Sequence, residues 1–210
     1  MKKILKLTFA LLVVSVASSC TGDTEVAPYK PVFFSQSFES VEAGSGSVEI
    51  PINVEGWINY NALGLRNWCC KVANNNNYAE FSSFYSNNPS TSDDNDQVWL
   101  ITPKIDFTTT TNETLLFKTQ SKFSNGAEFK VLISTDFDGT TAGIATATWT
   151  ALNPILPTVD NVFVDSGFID LSDQAFQSSN VYIAFRYTGS KPGNKTTTFQ
   201  LDGIKIFENK

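Results

Sequence analysis

Val181-Tyr182-Ile183-Ala184-Phe185-Arg186-Tyr187 and, earlier in the chain, Glu128-Phe129-Lys130-Val131-Leu132-Ile133-Ser134 decide the fold class. In the second tract Phe129, Val131 and Ile133 recur at every other position, with Lys130 and Ser134 on the opposite side. The first repeats the pattern, setting Val181, Ile183 and Phe185 against Tyr182 and Arg186. A period of two is that of a strand with one buried face. Outward from these tracts, β-branched and aromatic runs at 32–38, 48–54, 97–101, 114–119, 162–168 and 197–207 are separated by clusters of Asn, Asp, Ser, Gly and Thr. Many short strands with almost no helical period predict an all-β fold, a jelly-roll β-sandwich. Residues 172–178, after Leu171, read as a short helical turn. In the last run Phe199 and Leu201 are odd but Ile204 and Ile206 are even, so a β-bulge at Gly203 is needed to keep one face apolar and to re-aim Asp202.

The start of the chain has another logic. Lys2, Lys3 and Lys6 precede an apolar run at 7–17, broken by Thr8 and Ser15, which is too short to span a bilayer and has the flanks of an export signal. Ala17-Ser18-Ser19-Cys20 resembles the lipobox of bacterial lipoproteins, with Val16 or Ala17 where leucine is usual. Residues 1–19 are therefore expected to be a removable signal peptide and Cys20 the lipidation site. Two or more acyl chains, at about 0.8 kcal/mol per buried methylene, anchor stably. Residues 20–31, with Pro28 and Pro31, read as a tether, and 32–210 as a single domain long enough to bury about 70% of its unfolded surface. The expected location is the outer membrane, on the surface or the periplasmic face, with membrane contact through the lipid alone.

Loss of residues 1–19 leaves twelve basic against twenty-one acidic residues, a net charge of −9. That balance disfavours nucleic acid and anionic bilayers and suits neutral glycans, cations or other proteins. The chain has no histidine, which removes Ser-His-Asp and Cys-His machinery and most zinc sites. A glycoside hydrolase needs only two carboxylates, but no strand carries an alternating Glu-x-Asp-x-Glu tract. The chain is accordingly expected to be no enzyme. Cys69 and Cys70 are adjacent, with Cα atoms about 3.8 Å apart, closer than disulfides prefer, and read as reduced and partly buried.

The order of motifs Ser37-Phe38-Glu39, Gly56-Trp57, Val98 to Asp106, Val131 to Ser134, Ile169 to Ser172, Val181 to Tyr187 and Gln200 to Ile204 resembles the choice-of-anchor J and cleaved-adhesin group of jelly-roll domains common in Bacteroidetes. It looks most like lipoproteins grouped as domains of unknown function beside polysaccharide-utilisation genes. The resemblance covers nearly all of 32–210. It implies a β-sandwich related to carbohydrate-binding modules, structural calcium and no catalysis. Glu39 and Asp202 stand where the family has calcium ligands, although Asp202-Gly203 and Asn59-Tyr60-Asn61 each replace a tract richer in carboxylates. Without an ion, both would satisfy backbone donors.

Other candidates come from local chemistry. Asp93, Asp94 and Asp96 lack the spacing of a calcium loop and read as a solvated turn. Asp136 to Gly139 reads as a hairpin connection. Residues 74–77 and 87–96 read as polar, exposed loops. Sugar binding pairs an aromatic ring with hydrogen-bonding side chains. Trp57, Tyr60, Trp68 and Tyr78, interleaved with asparagines, are the candidate glycan surface, whereas Trp99 and Trp149 sit in strand patterns. The function expected is capture of glycan or adhesion to a host or other surface protein. The alternative is an accessory subunit docking on an outer-membrane uptake complex.

Overall fold

The computed structural model describes residues 30–84 and 95–208; the expected signal peptide, Cys20, most of the tether, and Asp93 and Asp94 lie outside them. The strands are β1 (Val32–Gln36), β2 (Ile50–Pro51), β3 (Ile58–Leu63), β4 (Cys69–Ala73), β5 (Asn76–Phe81), β6 (Asn95–Ile101), β7 (Glu113–Lys122), β8 (Glu128–Ser134), β9 (Thr150–Leu152), β10 (Val164–Asp165), β11 (Ile169–Asp170), β12 (Tyr182–Ser190) and β13 (Thr198–Glu208). The larger sheet runs β10-β7-β13-β5-β4-β2, with β1 on β13 and β11 on β7. The smaller runs β3-β6-β12-β8-β9. Strand neighbours are antiparallel throughout. This is an all-β jelly-roll sandwich, as the alternation predicts.

The core lies between the two sheets. Leu115, Phe117, Phe81, Leu201 and Ile206 from the larger sheet meet Leu100, Val131, Ile183, Phe185 and Tyr187 from the smaller. Phe117 packs edge-on to Phe185 at 5.4 Å between ring centroids, and edge-to-face pairs add to what area burial contributes. The expected bulge is present: the register of β13 against β7 shifts between Asp202 and Lys205. Gly203 takes φ +58° there, a conformation cheap only without a Cβ. Ile204 and Ile206 thereby return to the core side.

Several expectations are corrected. The 74–77 tract is no loop but a tight turn joining β4 to β5, with Ala73 opposite Asn76. Asn74 and Asn75 both adopt positive φ, as a two-residue type I′ hairpin requires and asparagine tolerates. Asp96 is no solvated turn residue: it lies in β6 and is buried. The 48–54 and 162–168 runs shrink to the two-residue strands β2 and β10. The expected helical turn is a 3₁₀ turn at Gln174–Phe176, capped by Asp173.

The solvent sides of the two sheets differ, and that difference positions the site. On the smaller sheet Trp99, Ile101, Leu132 and Tyr182 are roofed by Phe137 and Ile144 of the β8–β9 connection. Asp136 staples that connection, accepting from Ser134 Oγ and Thr148 N, each at 2.8 Å. The larger sheet instead carries a row of polar side chains on its outer side. Register sets Gln120, Gln200, Glu80 and Cys69 side by side across β7, β13, β5 and β4.

Candidate functional site

The outer side of the larger sheet forms the floor of a groove of about 760 Å³, within the size range of ligand sites. A smaller cavity of about 300 Å³ shares Gly46, Lys71, Glu80, Phe123 and Thr198 with it and extends it toward Tyr78 and Lys122. Gln200, almost wholly buried, donates through Nε2 to Glu80 Oε2 at 2.6 Å.

One wall is the strap of residues 44–49. Gly44 bridges Lys71 of β4, its N–H donating to the Cys70 carbonyl and its own carbonyl accepting from Val72 N, both at 3.0 Å. Lys71 Nζ then donates to Gly46 O at 3.1 Å and Val48 O at 2.6 Å. A buried ammonium needs such acceptors, and here they pin the strap over the sheet. Glu49, at the end of the strap, pairs with Arg66, which also donates to Ser82 O at 3.2 Å.

The opposite wall is the β7–β8 turn. Asn125 locks it to the segment before β13, donating from Nδ2 to Thr196 Oγ1 at 2.7 Å and accepting from Thr196 N at 2.6 Å. Asp160 accepts from Ser124 N at 3.0 Å and from Ser121 Oγ at 2.8 Å. These bonds, those of Ser124 first, hold its carboxyl below the usual range. Leu65, Phe84 and Phe123 stand exposed on the rim.

The aromatic set expected from the sequence does not converge. Trp68 is completely buried, with Nε1 3.4 Å from the Val98 carbonyl it donates to. It packs on Phe81 and Phe129, so its ring faces no solvent. Trp57 packs against Phe34 and Phe38 at the core margin. Tyr60 lies on the smaller sheet, against the Trp99 cluster. Tyr78 alone reaches the groove region, in the smaller cavity and edge-on to Phe163. Phe84 and Phe123 were not among the expected residues. The available signal was an aromatic, Phe123, immediately before the turn-forming tract Ser124-Asn125-Gly126.

Glu39 and Asp202 each bond to the β4–β5 hairpin, at neighbouring residues. Asn77 N donates to the Glu39 carboxylate at 3.3 Å, and Asn76 Nδ2 donates to Asp202 Oδ2 at 3.0 Å. Asn77 Nδ2 also donates to Val41 O at 3.1 Å. Among the described residues no three of His, Cys, Asp and Glu gather at one point. Any cation there would complete its shell with carbonyl and amide oxygens, which calcium accepts.

Cys69 and Cys70 are both free and buried. As neighbours in one strand they face opposite sides of the sheet, Cys69 toward the groove and Cys70 into the core. Burial, then the Glu49 charge, pushes the Cys69 thiol up to about 12 from an ordinary 9.0. Burial, then Glu39 and Asp202, pushes Cys70 up to about 11. Both are protonated and unreactive at neutral pH. A raised folded-state pKa means the folded chain holds these protons more tightly than the unfolded one. The resulting stability is complete below pH 9 and is lost as pH rises toward 11 and 12. The slope is about 1.4 kcal/mol per pH unit per thiol. The urea midpoint should fall across this window, and a Cys69→Ser, Cys70→Ala double variant should flatten the fall; an unchanged slope would refute the assignment.

The family described as domain of unknown function (DUF5017) matches residues 78–207. The chain belongs to this family. Among solved structures, the DUF5017 chain is similar to the K1 cleaved adhesin domain of Lys-gingipain from Porphyromonas gingivalis W83, at 17% identity and TM-score 0.52, over 84% of this chain and 98% of that one. It is similar to the K3 cleaved adhesin domain of the same protein at 16% identity and TM-score 0.53, over 86% and 100%. The likeness is one of fold. No curated protein matches the chain.

Proposed function

We propose that this protein is a non-enzymatic lipoprotein of the outer membrane that captures glycan in the groove on its larger sheet. The observation that carries the reading is the groove itself. A floor of hydrogen-bonding side chains, Glu80, Lys71 and Thr198, with buried Gln200 holding Glu80 from beneath, is bordered by exposed apolar groups at Leu65, Phe84 and Phe123. Sugars present both chemistries, hydroxyls at the ring edge and C–H groups on the ring face, and such a site meets both. The export-signal and lipobox tract ending at Cys20 supports the anchored location, and the motif order shared with choice-of-anchor J domains supports a ligand-binding sandwich.

Calcium belongs to the same proposal. Glu39 and Asp202, with the Glu39 and Val41 carbonyls close to Asn77, are an oxygen donor set of the kind calcium takes. An ion held by them would tie the end of β1 to the β13 bulge and neutralise two carboxylates.

A second reading, docking on an uptake complex, is favoured by Ile155, Val159, Val162, Phe163 and Phe168, exposed apolar side chains along one stretch of chain.

The test is thermal melting of the full chain with calcium, with chelator, and with a panel of plant and host glycans. A ligand at a hundred times its Kd stabilises by about 2.7 kcal/mol. One or more glycans should raise the melting temperature, and calcium should raise it in the parent but not in Glu39→Gln or Asp202→Asn. No shift with any glycan would move the docking reading into first place.

A further inference from the structure

The geometry points to Phe123, with Phe84 on the rim of the same groove, as the platform on which a neutral pyranose ring stacks. This inference rests on the glycan reading and names the ligand class and the contact that selects it.

Phe123 is 77% exposed and adopts φ +54°. A bulky side chain in the left-handed region is an outlier, and it persists only where the surroundings over-determine the backbone. Here they do. Asp160 takes the N–H of Ser124 at 3.0 Å, and Asn125 is bonded on both its amide atoms to Thr196. Asn161 N donates to Ser121 O at 2.8 Å, binding the end of β7 from the other side. The strain stabilises no packing, since the ring lies outside both apolar clusters. A glycine would satisfy the same turn without strain, yet an aromatic ring stands there, on the rim of the groove.

Phe84 is the second ring on that rim, 58% exposed, with Lys191 Nζ 5.2 Å from its centroid. The charges between the two rings are already matched within the chain. Arg66 pairs with Glu49, Lys71 is held by two carbonyls, and Glu80 accepts from Gln200. Lys191 beside Phe84 and Lys122 in the smaller cavity stand at the margin, whereas the Glu49 and Glu80 carboxylates line the groove itself and would repel a uronate or sulfated sugar. Hydroxyls, which donate and accept, fit these half-satisfied groups. The ligand class is therefore a neutral glycan.

The probes are soluble xyloglucan, galactomannan, β-1,4-galactan and laminarin, with polygalacturonate as the anionic control, titrated calorimetrically into the full chain. At least one neutral glycan should bind and polygalacturonate should not. Phe123→Ala and Phe84→Ala should each weaken binding about tenfold or more, and Phe123→Trp should retain it. Phe123→Gly separates contact from fold: binding should fall as in Phe123→Ala, while the melting temperature holds or rises because the strain is relieved. If a neutral glycan binds the parent but the Phe123 variants bind equally well, the platform assignment is wrong and the glycan reading survives. If Phe123→Gly lowers the melting temperature with binding intact, the ring is structural and the assignment is likewise overturned. Preference for polygalacturonate overturns the ligand class. If no glycan binds the parent, the broader reading fails along with this one.

Discussion

Replacing Trp68 with alanine is expected to lower stability by about 3–5 kcal/mol, the range for removing a fully buried aromatic from a core that cannot collapse. The indole stands between the sheets, 6.0 Å from Phe81 of the larger and 6.1 Å from Phe129 of the smaller. Its backbone is held on three sides. Trp68 N donates to Asn59 Oδ1 at 3.0 Å, and its carbonyl accepts from Asn59 Nδ2 at 2.7 Å and from Ile52 N at 2.9 Å. Neighbouring strands so pinned cannot close over the vacated volume. Total stabilities of about 5–15 kcal/mol make this a large fraction of the whole. Urea unfolding should show a lower midpoint with an unchanged slope. A loss under about 1 kcal/mol, well below the range for core aromatics, would mean that the indole is not core. Tyr60→Ala, on the far sheet and only half-buried, should cost much less.

The parts of the fold legible in the sequence are those whose partners impose a local period. β8 spans the predicted 128–134 because Phe129, Val131 and Ile133 alternate into the core; burial of Leu132 and Ser134 on its other face, under the β8–β9 connection, left no such period to read. The β13 bulge was legible because apolar residues that change parity within one strand can share a face only if an extra residue is inserted between them. Strands β3, β4 and β5 were not legible, since their asparagines imitate loop sequence. Asn59 and Asn61 spend their amides on backbone carbonyls, Asn59 on that of Trp68 just before β4 and Asn61 on that of Gly64 just after β3. Asn74 and Asn75 turn the chain in two residues. The same stretch misled the search for a binding surface. Trp68 lies among polar neighbours in sequence, but its burial is set by Phe81 and Phe129, neither of which is near it in the chain. The groove walls also depend on pairings between residues well apart in the chain: Asp160 with Ser124, Asn125 with Thr196, Glu49 with Arg66. Phe123, next to a Ser-Asn-Gly turn tract, was not legible as a site residue, because its meaning rests on a φ value that a sequence does not display.

The strap of residues 44–49 should prove to be the part of the fold on which stability and ligand binding depend together, and Gly44→Ala is the substitution that exposes this. A Cβ at Gly44 would lie 2.2 Å from the Val48 carbonyl oxygen and 2.8 Å from its carbon, so backbone has to move. Overpacking of this kind costs about 1–3 kcal/mol, or roughly 2–12 °C in melting temperature for a domain of this size. The upper end is expected, because Val48 O is one of the two acceptors of the Lys71 ammonium, and displacing it leaves a buried charge under-solvated. The strap also carries Glu49, the partner of Arg66 at the groove, so glycan affinity should fall in protein that is still folded. Gly46→Ala is the control: its Cβ meets nothing within 4 Å, and only its positive φ adds strain, so melting should drop far less. Coupling to Lys71 is tested by a double-mutant cycle with Lys71→Met, which removes the charge the strap caps. If the ammonium holds the strap, Gly44→Ala costs less in the Lys71→Met background than in the parent. Additive effects would show instead that the strap is held by the Gly44 backbone bridge alone, with Lys71 contributing nothing to its position over the groove.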